Sequence, residues 1–349
     1  MKMNRFLARE KFLASGQVHS DTPLIISESR NRSLAYKVDL HLSKSPKVLN
    51  PMDTQEQQTS SLLYDEFQTI IPKIKSFSNS NYSFLLADNQ ARLLGLYAKE
   101  DLMELLKTFN AVPGGVWSEE LCGTTLAAGK SVVIHDAQHF CESWQVISYA
   151  GVPILDPINR KIIGVLNLTC FPEDFPTNAV ELTETLAKSL EMEVFNQLQI
   201  HRLYLENAYL EKDMRSSKDI LLVVNLEGQI IRCNDSEFFK QQDWSSPFDW
   251  YQFFQMNQEQ SVLSLSALAT AHERPLPFST DSSGGDLQFI YYKDRIIGAL
   301  IQMRRQPEGN VKKTSSDYKS QSGKRAFSTN DGMSTVNDAI QNKIIGESP

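Results

Sequence analysis

Cysteine is scarce in this sequence: four among 349 residues, at positions 122, 141, 170 and 233. No two form a C-x-x-C pair, so the close ligand pairs of a structural zinc site are missing, and free thiols in a reducing cytoplasm are expected. Long apolar runs are lacking as well. Nothing approaches the roughly 18 residues of a spanning helix, and Met1-Lys2-Met3-Asn4-Arg5 leads into no signal-peptide core, so no membrane contact is expected. Nor are basic residues in excess. Lys and Arg number 35 against 42 Asp and Glu, a net charge of −7, which argues against direct nucleic-acid contact through phosphate neutralisation.

Two motifs with chemical overtones lack the context they need. Residues 123–131 read G-x-x-x-x-x-G-K-S, one residue longer between the glycines than a nucleotide-binding P-loop. A P-loop also puts a helix after its Lys, so that the helix N-terminus faces the phosphates, whereas Lys130 precedes the β-branched run Val132-Val133-Ile134. His135 and His139 stand four apart, a metal-binding spacing on a helix. They straddle a strand end and a loop instead, so hydrogen-bonded or solvated imidazoles are expected, and no metal.

With 41% hydrophobic and 22% charged residues, the chain is long enough for two globular domains plus linkers. An N-terminal arm over 1–60 opens with a helix at 4–14 and continues as a polar stretch. The first domain, 61–178, begins with Leu62, Leu63, Phe67, Ile70, Ile71 and Ile74 on one helix face. Residues 82–88 and 92–97 read as strands joined by Asn89-Gln90-Ala91, and 101–109 as a helix. A Pro113-Gly114-Gly115 loop then delivers Trp117. Residues 121–130 hold one or two helical turns before a stop at Gly129. Two apolar runs, 150–155 and 161–168, flank a turn with Asp156, Pro157 and Asn159 and form an antiparallel hairpin.

A long helix follows, capped by Thr177 or Asn178 and running to about residue 216. Leu182, Leu186, Leu190, Val194 and Leu198 recur every four residues, and Leu205 and Tyr209 continue the stripe. Such a rod spans roughly 60 Å, too long for one small domain. The connector, 179–218, is therefore expected to expose the stripe over 190–209 as a parallel dimer contact. A second domain, 219–305, shows two strands around Glu227-Gly228, Asn234 as a helix cap, and a closing hairpin over 287–303. Between them Trp244, Phe248, Trp250, Tyr251, Phe253 and Phe254 read as core, with no Cys or His placed for flavin or haem, so no cofactor is expected. Residues 306–349 have the composition of a flexible linker.

The order GT…L-x-x-G-K-x-V…HF…W…PI-x-DP…IIGVL-x-L over 123–168 resembles the GAF sensor domain of sigma-54-dependent transcriptional activators of the acetoin-catabolism type. Residues 26–39 faintly resemble the segment that opens the same activators, I-x-x-S-W-x-R-S…V-D. Residues 219–234 and the closing hairpin resemble a PAS domain, and Ile344-Ile345-Gly346-Glu347-Ser348-Pro349 is similar to the start of the activators' AAA+ ATPase domain. The resemblance implies an α/β fold of the α+β kind: a GAF domain with an antiparallel sheet, a long connecting helix, then a smaller PAS-like domain. It also implies a cavity for a small-molecule effector such as acetoin, lined by Trp117, Cys122, Thr124, His139, Trp144 and Val152.

Two departures from the family pattern carry expectations. Arg30 stands where the family has Trp, and losing an aromatic anchor should weaken docking of the arm. Gly123-Thr124-Thr125 runs straight into Leu126, about one helical turn shorter than in the family, and weak effector binding is expected.

The function implied is signal reception in a sigma-54-dependent activator. The sequence has no Walker motif, no GAFTGA loop and no helix-turn-helix, so the ATPase and DNA-binding output are expected outside this truncated chain. On that reading the chain is no enzyme, hydrolyses no ATP, and acts as a homodimer or in mixed dimers with a full-length activator. Two alternatives are the input region of a truncated sensor kinase, which would need a phosphoacceptor His after the PAS-like domain, and a thiol-dependent GAF enzyme using Cys122, Cys141 or Cys170.

Overall fold

The structure, a computed structural model, describes residues 2–44, 58–75, 81–116, 122–214, 218–226, 228–236, 276–279 and 284–304. Trp117, the aromatic cluster of the second domain and the C-terminal tail lie outside these described residues.

Alternating side chains in five strands build a sheet that is covered on both faces. The strands are β1 (Tyr82–Asp88), β2 (Leu93–Tyr97), β3 (Val132–Ile134), β4 (Ser148–Leu155) and β5 (Ile162–Cys170). They pair antiparallel in the order β2-β1-β5-β4-β3. Successive residues point to opposite faces. Phe84, Leu86, Ala150, Val152, Ile154, Leu166 and Leu168 therefore enter one core, while Leu85, Ala87 and Val165 enter another. Because neither face meets water, the strands read as nearly continuous apolar runs.

The first of these cores is closed by helix. It is covered by α3 (Gln58–Lys75) through Leu62, Leu63, Phe67 and Ile71, and by the N-terminal half of α6 (Ala179–Asp213) through Leu186, Leu190 and Val194. The opposite face holds α4 (Glu100–Thr108) and α5 (Gly123–Ala128), which stops at Gly129 in the left-handed region with φ 62°. The arm also lies here, folded as α1 (Lys2–Ser15) and α2 (Leu24–Ala35). The sequence read the second of these helices as an irregular polar stretch. Its buried positions are Ile26, Ser27, Ser29, Arg30 and Ser33, so an apolar stripe is not what docks it.

A second antiparallel sheet repeats the same strand order. Here β6 (Ile220–Asn225), β7 (Ile230–Cys233), β8 (Leu276–Ser279), β9 (Gly284–Tyr292) and β10 (Arg295–Met303) run β7-β6-β10-β9-β8. Asn234 pins the end of β6: its Oδ1 accepts from the Leu221 amide at 2.8 Å and its Nδ2 donates to Asp219 O at 2.9 Å.

The long helix serves both sheets, and this corrects the expected dimer stripe. Leu205 and Tyr209 are buried against Leu221, Val223, Ile297 and Leu300 of the second sheet. The approach is close. A Cβ on Gly298 would collide with the Val224 carbonyl and come within 2.9 Å of Leu205 Cδ2. The stripe beyond residue 194 is therefore covered by the chain itself. Arg295, at the β9–β10 turn, adds a second link by donating to Asp65 and, at 3.1 Å, to Ser61 Oγ, both on α3.

Candidate functional site

On the arm-side face of the first sheet, polar residues interrupt the apolar layer. Thr124 and Thr125 on α5, Asn167 on β5 and Tyr149 on β4 are fully buried. Strand register sets them side by side: Gly151 pairs with Asn167, and Tyr149 with Thr169. The space between them depends on glycine. A Cβ at Gly151 would collide with Thr125 Oγ1 and sit 2.6 Å from Asn167 Oδ1 and 3.3 Å from Tyr149 Cε2. Asn167 Nδ2 in turn donates to Cys122 Sγ at 3.7 Å. Among the described residues, Thr125 Oγ1 and Thr169 Oγ1 are buried without a hydrogen-bond partner.

Four of the six residues expected to line a cavity share this face. Cys122 and Thr124 start α5. His139 lies between two aromatic rings, with centroids 5.6 Å from Tyr149 and 6.4 Å from Trp144, and Trp144 packs against Phe109 at 4.7 Å. Val152 does not join them. It lies one residue from Gly151 on β4, so alternation turns it to the opposite face, into the core shared with α6. Trp117 is outside the described residues. The sequence reading missed Thr125, Tyr149, Gly151 and Asn167, and also a residue of the arm, Ser29, whose Oγ lies 2.9 Å from Thr124 Oγ1.

The arm reaches the site because three arginines hold the loop between β3 and β4. Arg9, itself buried, donates from Nε to His139 O at 3.2 Å and from Nη2 to Phe140 O at 2.7 Å. Arg30 Nη2 donates to Ala137 O at 3.1 Å while its guanidinium lies 5.8 Å over the Phe12 ring. Arg5 pairs with Asp136 at 3.3 Å. Ile26 of α2 packs with Val132, Ile134 and Tyr149. Where the family has Trp, Arg30 is itself a buried anchor of the arm, serving the Ala137 carbonyl and covering the Phe12 ring.

The thiols are held in their neutral form. Burial, reinforced by the Asp88 carboxylate, pushes the Cys122 thiol up to about 12, and burial with Asp174 and Glu173 does the same for Cys170. Cys170 also belongs to the α6-side core, across the sheet from Cys122. A thiolate nucleophile needs the reverse, an exposed and electropositive setting. Of the paired histidines, His135 stacks edge-on to Phe175 at 4.7 Å and its proton affinity is lowered by burial and by Arg5. No three His, Cys, Asp or Glu side chains converge as metal ligands among the described residues.

Residues 65–194 match the family described as GAF domain. The chain carries a GAF domain. The match takes in residues 65–75 of α3 and the N-terminal half of α6, the helices that close the first core. Among curated proteins, the chain is 25% identical over 223 residues to the propane 2-monooxygenase operon transcriptional activator MimR of Mycolicibacterium goodii, covering 60% of this chain and 36% of the relative. It is 23% identical over 229 residues to the acetoin dehydrogenase operon transcriptional activator AcoR of Bacillus subtilis strain 168, covering 63% and 37%. The chain thus spans little more than a third of the length of these curated relatives. Among solved structures, the E. coli DhaR(N)-DhaL complex aligns with a TM-score of 0.46 at 13% identity, over 81% of this chain and 100% of that one.

Proposed function

We propose that this chain is the signal-receiving region of a sigma-54-dependent transcriptional activator, and that its GAF domain binds a small neutral oxygenated metabolite between α5 and the β4–β5 pair. The observation that carries the reading is the buried polar row of Thr124, Thr125 and Asn167 around Gly151. Burying a hydroxyl costs free energy unless it finds a partner; the Thr125 hydroxyl has none among the described residues, and a bound ligand supplies one. The buried carboxylates at the edge of this row are already paired, Asp88 with Arg92 and Asp136 with Arg5. Among the described residues, recognition is left to hydroxyl, amide and imidazole groups, which suits a hydroxy-ketone such as acetoin better than an acid or an amine. Relatives named as operon activators support a regulatory role for such a site.

The route from site to output runs through β4. This strand gives Tyr149 and Gly151 to the site and Ala150, Val152 and Ile154 to the core that holds α6. A ligand that prefers one packing of β4 therefore shifts the packing of α6, a population shift that an attached ATPase can read. The second sheet, led into by α6 and repeating the strand order of the first, supports the PAS-like reading of residues 219–305. For a second copy, or a full-length relative in a mixed dimer, the outward face of α6 offers the exposed side chains of Met192, Leu203 and Leu210.

Calorimetry and thermal denaturation of the full chain with acetoin test the proposal. Saturable heat and a rise in Tm that grows with ligand concentration are expected, both lost in Gly151→Val. Neither signal at saturating acetoin and related C3–C5 ketones and diols would overturn it.

A further inference from the structure

We infer that the effector site is not confined to the GAF domain: Ser29, delivered by α2 of the arm, is a specificity-determining residue that contacts the hydroxyl-bearing end of the ligand. The inference rests on the sensing role proposed above and adds where discrimination comes from. Its ground is the contact of Ser29 Oγ with Thr124 Oγ1 at 2.9 Å, both residues being buried. Thr124 is adjacent in sequence to Thr125, whose Oγ1 is buried without a hydrogen-bond partner among the described residues and points at Gly151. A ligand oxygen seated against the two threonines is therefore within one hydrogen bond of α2.

The position of Ser29 is also fixed from both sides. Ile26, one turn earlier on the same helix, is locked into the apolar cluster of Val132, Ile134 and Tyr149, and Arg30, the next residue, is tied to Ala137 O. A hydroxyl held this way loses little freedom on binding, which is what makes a polar contact discriminate between ligands. Ser27 provides the contrast. Its hydroxyl donates to Leu24 O at 2.7 Å, within its own helix.

The test compares full-length wild type, Ser29→Ala, Ser29→Thr and Ser27→Ala by calorimetry, using acetoin and butan-2-one, which lacks the hydroxyl. The expected result is that Ser29→Ala weakens acetoin about three- to tenfold, the range for one neutral hydrogen bond, while butan-2-one binding is unchanged. Ser29→Thr restores the discrimination and Ser27→Ala behaves as wild type. Thermal melts that match wild type establish that the variants are folded. Equal binding of acetoin by Ser29→Ala and wild type, or an equal loss for both probes, overturns the inference while leaving the sensing role intact. Wild type that binds neither probe overturns the sensing role and this inference together.

Discussion

Gly151 and Asn167 face each other across the β4–β5 pair, and the absence of a side chain at 151 leaves the Asn167 amide and the Thr125 hydroxyl converging on one point. Gly151→Ala puts a methyl group there. Overpacking of this kind costs about 1–3 kcal/mol, and acetoin binding is expected to disappear from a chain that still folds. Val152→Ala, one residue on, is expected to destabilise the α6-side core with far less effect on ligand affinity. Paired chemical denaturation and calorimetry on both variants separate the two faces of β4.

How far the sequence disclosed this arrangement depends on what kind of force holds each part. The β4–β5 hairpin was legible because turn chemistry at Asp156, Pro157 and Asn159 is local and the flanking runs are apolar. Helix α2 was not, since Ile26 is the one large apolar residue among its buried positions, the others being Ser27, Ser29, Arg30 and Ser33, and a single residue sets no hydrophobic period. The choice of Val152 over Gly151 failed on parity: a strand covered on both faces has no apolar alternation to say which residue looks which way. Asn167 carried a usable signal, a lone amide within the apolar run 162–168.

The arm should be integral to the first domain. Arg9→Met keeps the aliphatic stem but leaves the His139 and Phe140 carbonyls without their buried donor. At about 1–3 kcal/mol for an unsatisfied buried group, a loss of about 3 kcal/mol is expected from urea denaturation. A loss below about 0.5 kcal/mol, the range of an ordinary surface change, would mean that the arm rests on the domain without supporting it.

The distal half of α6 gives a prediction that separates intrachain packing from dimer contact. Leu205→Ala removes a side chain buried against the second sheet, and core truncations of this type cost about 2–5 kcal/mol. The loss is expected to be independent of protein concentration. Leu203→Ala, on the exposed face, is expected to change stability by less than about 0.5 kcal/mol at low concentration. If Leu205→Ala altered only the sedimentation coefficient, the packing described for α6 would be contradicted.

Stability should fall on mild acidification. His135 is held below the ordinary histidine range of 6.5 by burial and Arg5, and His201 by burial, Arg295 and Lys293. Each therefore binds its proton more weakly folded than unfolded. Unfolding takes up protons as pH drops below about 6.5, and stability declines in that direction. Tm measured from pH 7.5 to 5.5 should decrease, and His201→Gln should flatten the slope. A Tm that rises on acidification would contradict the assignment.

Hydrogen–deuterium exchange on the full chain with and without acetoin reports binding and its location together. The expected result is slowed exchange in three segments at once: 123–128 of α5, 148–155 of β4, and 24–35 of the arm. Protection confined to the second sheet, or none in α5 and β4 under conditions where calorimetry shows binding, would contradict an effector site at the junction of GAF domain and arm.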